Sequence, residues 1–229
     1  FSDLPGENYT FYVAGSGSPQ SYEIPFWPHI IVNQISDPDT HELALIRSIN
    51  LINTQACPVI NHPEAIKKTR RELIYQNLNS VDGLVVPKTT RFSPANPRDV
   101  KREIDEHDFT YPVIFRKAGD HGGFSTSLIN SEAEIEQTLY QYALNGSAFY
   151  LTQFVDYISS DNNYRKVRLI VVDGKAYLRH LIISDSWLIH SSSRKFMADN
   201  TKFDEEEKDY FFGYEEKIWP KITHTISQV

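Results

Sequence analysis

A single cysteine, Cys57, is all the sequence contains. That excludes an internal disulfide framework and fits a reducing cytoplasm. Cys57 lies in the apolar run Cys57-Pro58-Val59-Ile60, where a nucleophilic role is not expected. No apolar run approaches the roughly 18 residues that a membrane-spanning helix needs. Basic residues are also in short supply, with 23 Lys and Arg against 30 Asp and Glu and a net charge of −7. A general nucleic-acid binder needs a basic face, so that class is excluded. An enzyme whose anionic ligand meets a locally basic cleft remains compatible. No His/Cys/Asp pattern has zinc spacing, and there is no internal repeat or low-complexity stretch. No charged-then-apolar leader opens the chain, which starts at Phe1 rather than Met. The sequons at Asn8 and Asn145 read as chance, because nothing else points to secretion.

What is present suits a packed core: 40 % apolar residues, with 13 Tyr and 13 Phe. The first sixty or so positions read as a small α/β layer. Thr10-Phe11-Tyr12-Val13-Ala14 predicts a strand, followed by a Gly/Ser/Pro loop over residues 15–20. Residues 28–33 predict a second, buried strand, and Cys57-Pro58-Val59-Ile60 a third. Between them Asp37-Pro38-Asp39 offers helix-starting chemistry, and Leu43, Ile46, Ile49, Leu51 and Ile52 follow at helical spacing. Strand, helix, strand predicts a parallel pair. Pro63, after the capping pair Asn61-His62, opens a helix carrying Ile66, Leu73, Ile74 and Leu78 on one face. Residues 79–98 are rich in turns around a short strand at Leu84-Val85-Val86.

Tyr111-Pro112-Val113-Ile114-Phe115 reads as a strand running into Arg116-Lys117-Ala118-Gly119-Asp120-His121-Gly122-Gly123, and residues 124–129 return as its partner. The glycine segment is therefore a hairpin tip. Two glycines there let backbone N–H groups approach an anion closely. Of Arg116 and Lys117, one must face the side of the tip, and a basic residue beneath a glycine flap is a workable phosphate clamp. Ser131-Glu132-Ala133-Glu134 is a capping box opening a helix with Ile135, Leu139 and Tyr142 inward, closed by Asn145-Gly146. Residues 149–155 form another strand. A long hairpin, residues 167–172 and 175–183, turns on Asp173-Gly174, the strongest two-residue hairpin signal. Residues 187–190 extend that sheet. Residues 204–209 read as a solvated helix face, and residues 215–226 as a last helix.

Five segments, taken in order, resemble the ATP-grasp superfamily. Residues 61–71, NHPEAIKKTRR, resemble the helix that leads into the ATP-grasp lid, and Val86-Pro87-Lys88-Thr89 the following P-x-T strand. YPVIFRKAGDHGG resembles the strand and phosphate-covering loop, FYLTQFVDY the hinge, and YRKVRLIVVDGKAYLRHL the arginine-led strand and its hairpin. The likeness is strongest to RimK-like carboxylate–amine ligases, and to an uncharacterised RimK-like domain that follows helical repeats in larger bacterial proteins. It implies ATP and magnesium as cofactors and a small-molecule or peptide carboxylate and an amine as substrates. Arg116 stands where a phosphate-binding lysine is usual, and a first phosphate cation falls at Arg70 or Arg71. His121, Gly122 and Gly123 become the flap. Backbone groups of Gln153, Phe154 and Val155 meet adenine, and Arg168 reaches the phosphates or the acceptor carboxylate as the catalytic arginine. His180 and His190, near the expected substrate side, read individually as packed or surface residues.

The resemblance also implies two later acidic strands that hold magnesium, and none follows His190. Asp204, Glu205, Glu206 and Glu207 lack a strand context. The expectation is an α/β fold: a pre-ATP-grasp domain over residues 1–60, a central or lid subdomain over 61–150, and an incomplete C-terminal subdomain over 151–229. Further domains of a longer parent, or a homo-oligomer, would complete it. The parent joins a carboxylate to an amine through an acyl phosphate, in the cytoplasm, while this chain alone is inactive. The competing class is a non-catalytic nucleotide-binding or protein-interaction domain.

Overall fold

A computed structural model of the chain describes residues 6–17, 23–198 and 200–228. The terminal readings at Phe1 and Val229, and the end of the loop expected over residues 15–20, lie outside the described residues. The chain divides into two compact units, Phe1–Leu73 and Ile74–Val229. Both α-helices and β-strands build it, so the fold class is α/β. Among the described residues no helix is long and apolar enough to cross a membrane.

In the first unit, β1 (Ile31–Val32), α1 (Glu42–Ile52) and β2 (Val59–Ile60) form the expected crossover, with β1 and β2 parallel. The buried face of α1 is Ala44, Leu45, Ser48, Leu51 and Ile52, whereas Leu43 and Ile46 are exposed. No strand forms over Thr10 to Ala14. The guanidinium of Arg47 instead donates to the carbonyls of Ala14 (2.7 Å), Ser16 (3.2 Å) and Gly17 (2.7 Å). It supplies donors that a neighbouring strand would otherwise have to provide. Pro63 does open a helix, and the His62 ring accepts from the Glu64 N–H. That helix is broken into α2 (Pro63–Lys67) and α3 (Arg71–Leu78). At the break the Thr69 hydroxyl donates to the Ile66 carbonyl at 2.7 Å, a side-chain bond that competes with helical continuation.

The first strand of the second unit is β3 (Thr89–Phe92), which starts five residues later than the strand expected at Leu84. It continues with α4 (Pro97–Glu106), which opens at the end of the turn-rich stretch expected over residues 79–98. Its start is legible in retrospect: Asn96 caps the Arg98 N–H, Pro97 opens the helix, and Asp99 closes a capping box. Then come β4 (Val113–Lys117), β5 (Thr126–Ile129), α5 (Ile135–Leu139) and β6 (Phe149–Gln153). The capping residue of the α5 region differs from expectation. Ser131 makes no side-chain cap, and Glu134 instead accepts from the N–H and amide of Asn130, each at 2.9 Å. The strands form an antiparallel sheet in the order β3-β6-β4-β5. One face packs on α4 and α5 through Val100, Ile104, Val113, Phe115, Ile129, Ile135, Leu139, Phe149 and Leu151. Phe115 is the hub. It stacks on Phe149 with centroids 4.7 Å apart and meets Tyr142 edge-on at 5.3 Å and Phe92 edge-on at 6.3 Å.

A second sheet pairs β7 (Tyr164–Val172) with β8 (Lys175–Ser184) through Asp173-Gly174, both at positive φ (50° and 72°), as a two-residue hairpin turn requires. Residues 187–190 do not extend it. The outer edge of β8 is closed by helices α6 (Arg194–Ala198) and α7 (Thr201–Gly213) instead of by a strand. The N–H of Leu181 donates to the Glu207 carboxylate at 3.3 Å, and that of Ile183 to the Met197 sulfur at 3.3 Å. The last helix begins late. A π-helical stretch, Tyr214–Ile218, precedes α8 (Trp219–Ile226), because Pro220 has no N–H to continue the ladder.

Two substitutions separate the core from the cap. Phe115→Ala should cost about 3–5 kcal/mol through lost burial and a cavity. Asn96→Ala should cost about 1 kcal/mol through the lost helix cap. Urea denaturation of the three proteins checks the order, and equal midpoints for the two variants would contradict it.

Candidate functional site

The pleat of β4 decides which basic residue serves the glycine hairpin. Phe115 is fully buried in the core, so Lys117 shares its face by alternation and Arg116 takes the opposite one. The Arg116 guanidinium reaches the tip itself, donating to the carbonyl of Asp120. The Asp120 carboxylate in turn accepts from the Ser125 N–H at 3.0 Å, which ties the two limbs of the hairpin below the glycines. Gly123, at φ 82°, lies against another part of the unit: a Cβ there would meet the Leu188 methyls and the His190 ring at 3.5 Å. The glycine tip therefore sits on residues 188–190. Gly122 is exposed, as is His121.

Register brings in a residue that the sequence reading passed over. Tyr150 on β6 lies opposite both Arg91 on β3 and Arg116 on β4, and Arg116 also pairs with Thr126 on β5. The row Arg91, Tyr150, Arg116, Thr126 thus crosses the sheet on the face away from the Phe115 core. Neighbouring strands lie about 4.8 Å apart, so the Cα atoms of the two arginines are about 10 Å apart. Tyr150 between them is 1 % exposed. The usable signal for Arg91 was the P-x-T strand itself, once its alternation is followed two residues past Thr89.

The strand read as a hinge, β6, is held from an unexpected side. The Gln153 amide is spent on the segment before β4: its oxygen accepts from Thr110 N–H at 3.0 Å, and its nitrogen donates to Thr110 O at 2.8 Å. The Gln153 N–H donates to Lys88 O at 2.8 Å. Phe154 meets Trp187 edge-on at 5.7 Å, and the Tyr157 hydroxyl donates to the Trp187 carbonyl. Lys166 on β7 donates to the Ile189 carbonyl at 2.9 Å. Residues 187–190, expected as strand, are thus an irregular connector that touches the glycine tip, the segment after β6, and β7. Its backbone groups are satisfied by side chains from those elements, so it has no need of a ladder.

Arg168 lies exposed on β7, opposite His180 on β8. The His180 imidazole is pushed below its ordinary pKa, first by burial and then by the charges of Arg194, Arg168 and Arg179, with Glu207 acting the other way. Arg70 and Arg71 belong to the first unit. There Arg70 pairs with Glu72 at 3.3 Å and Glu42 at 3.9 Å, and Arg71 is exposed at the start of α3.

Among the described residues no three His, Cys, Asp or Glu side chains come together as a metal-holding set. The run beginning at Asp204 is indeed helical, on α7, but two of its acids are not solvated. Glu206 accepts from Arg165 at 2.6 and 2.9 Å, and Glu207 from Arg194 at 2.8 and 2.9 Å.

Comparison with known proteins finds partial likenesses among solved structures. No protein-family profile matches the chain, and no curated protein matches its sequence. D-alanyl-alanine synthetase A from Vibrio cholerae is similar over 83 % of this chain and 58 % of its own, at 13 % identity and a TM-score of 0.44. Carboxyaminoimidazole ribonucleotide synthase from Aspergillus clavatus, complexed with ATP, is similar over 78 % and 46 %, at 10 % identity and 0.46. A RimK domain ATP-grasp protein from Sphaerobacter thermophilus is similar over 74 % and 62 %, at 14 % identity and 0.43. The chain spans less than two thirds of each of these chains, and each likeness is partial.

The Glu207 contacts carry a pH dependence. The Arg194 guanidinium, then the Leu181 N–H, hold the Glu207 carboxyl below the ordinary glutamate value. A depressed acid contributes stability that is present above its unfolded pKa and lost as pH falls through the folded one. Stability should therefore drop on acidification below the ordinary glutamate range, and Glu207→Gln should flatten that drop. Thermal melts across pH for both proteins test it, and identical slopes would refute it.

Proposed function

We propose that this chain is the nucleotide-binding portion of an ATP-dependent carboxylate–amine ligase of the ATP-grasp type. One observation carries the reading: Arg116 reaches the carbonyl of a two-glycine hairpin tip from the strand beneath it. In this reading the guanidinium and the backbone N–H groups of the tip converge on one anion as a clamp. It lies in the second of the two units, within the ordered set of motifs that suggested nucleotide binding. In this reading the domain plan is a pre-ATP-grasp layer over residues 1–60, a lid over 61–150 and a partial C-terminal subdomain after 151.

ATP would supply the phosphoryl group that turns a carboxylate into an acyl phosphate, which an amine then attacks with release of phosphate. The protein's own share is positioning and charge neutralisation. Arg116 offers a planar fork for two phosphate oxygens. Gly122 and Gly123, with His121, close over them. Arg91 is the second cation of that face, carried on the same sheet row. Because the Gln153 amide and N–H are committed, the adenine contact falls to backbone groups of Phe154 and Val155, with Gln153 holding the strand in place. Arg168 serves the acceptor side. No step is assigned to magnesium. Since Glu206 and Glu207 are bound to arginines, this chain binds nucleotide without turning it over.

Calorimetric titration with ATP tests the clamp. Arg116→Glu should abolish binding, while Arg116→Lys, which keeps the charge, should weaken it by no more than about tenfold. Arg91→Gln should weaken it by about 10–100-fold, the loss of one charge-assisted contact. Equal binding by wild type and Arg116→Glu overturns the nucleotide reading. Loss with Arg116→Glu but not with Arg91→Gln removes only Arg91. In the same preparation, ADP release with ATP, magnesium and pools of amino acids should stay far below about 1 per second, an ordinary enzyme rate.

A further inference from the structure

Away from the glycine hairpin, β8, α6 and α7 enclose an open cleft of about 440 Å³. Arg179, Arg194, Asp204, Glu207, Lys208 and Phe211 line it. The charges are not evenly matched. Glu207 is saturated by Arg194 and by the Leu181 N–H, so it cannot also neutralise Arg179. Arg179 sits at a β-bulge: Arg168 pairs with His180 and Leu169 with Leu178, which leaves Arg179 with no residue opposite. A bulge re-aims the side chain of its extra residue. Among the described residues neither the Arg179 nor the Lys208 side chain makes a hydrogen bond or an ion pair. Phe211 adds an apolar wall and is 46 % exposed.

From this geometry we propose that the cleft is a binding site for a small organic carboxylate. Its carboxylate lies between Arg179 and Lys208, and its apolar body lies on Phe211. Guanidinium and ammonium groups converging on one side of a cleft suit a carboxylate or a phosphate equally. The two acids in the lining, Asp204 and Glu207, decide between them, because they repel a dianion more than a monoanion. An apolar ligand body has a surface to cover only at Phe211. The gathering of Arg168, Arg179 and Arg194 around His180 agrees with this site: the free protein carries a concentration of like charge that a bound anion relieves. None of the lining residues belongs to the proposed nucleotide clamp, so this site stands or falls independently of it.

His180 is a built-in reporter. Its ring signals in two-dimensional NMR, assigned by their loss in His180→Gln, can be followed while sodium phenylacetate is added at constant ionic strength. Phenylacetate should move the His180 signal saturably and raise its pKa back toward the ordinary value. Arg179→Gln should weaken the fitted affinity about tenfold, the loss of one charged hydrogen-bond partner. Lys208→Gln should weaken it too, and it carries the comparison if Arg179→Gln does not fold by circular dichroism. Absence of saturation, unchanged affinity in the folded variants, or tighter binding of inorganic phosphate than of phenylacetate would each overturn the proposal.

Discussion

The alternation of β4 and β6 governs the second unit. Phe115 can enter the core only if Arg116 points the other way, and Phe149 and Leu151 can join it only if Tyr150 faces Arg116. A slip of one residue would bury the guanidinium and expose the phenyl ring, so register is strongly specified. The aromatic cluster around Phe115 therefore does more than stabilise the four-stranded sheet. It sets which side of the sheet carries charge, and it holds Arg91 and Arg116 at a spacing fixed by the strands rather than by flexible side chains.

A sheet edge is the second constraint. An unpaired strand edge invites association, and proteins blunt it with charge, cover or a bulge. Here β8 has all three: the bulge at Arg179, the cover of α6 and α7, and the Glu207 carboxylate on the Leu181 N–H. The same carboxylate is pinned by Arg194. Edge protection and charge arrangement are thus one structure, and the cationic remainder at Arg179 and Lys208 is its by-product. Other parts of the second hairpin stay apolar and exposed, with Ile170, Val171, Val172 and Tyr177 all about half open to solvent.

Residues 187–190 show how a connector can organise a site without regular structure. Trp187 takes the segment after β6 through Phe154 and Tyr157, Ile189 takes Lys166, and Leu188 with His190 meets Gly123. The apolar content of Trp187-Leu188-Ile189 reads as strand, yet only Ile189 is buried, in the β8 core. Composition alone does not separate a connector packed on three sides from a strand packed on two.

The sequence by itself determined what depends on neighbours a few residues apart. The Asp173-Gly174 turn, the hairpin around the glycines, the start at Pro63 and the parallel crossover of β1 and β2 all follow from local turn chemistry and periodicity. Tertiary structure decided what depends on distant partners. Gln153 finds Thr110 across 43 positions, and Arg165 finds Glu206 across 41. Those pairings make the Gln153 side chain a strap and tie two acids of an expected solvated face into ion pairs. Arg91 joins Arg116 only because β6 lies between their strands. The physical reason is the same in each case. A backbone conformation is chosen by sterics and hydrogen bonds within a few residues, whereas a polar side chain takes whichever partner the packed chain brings within about 3 Å.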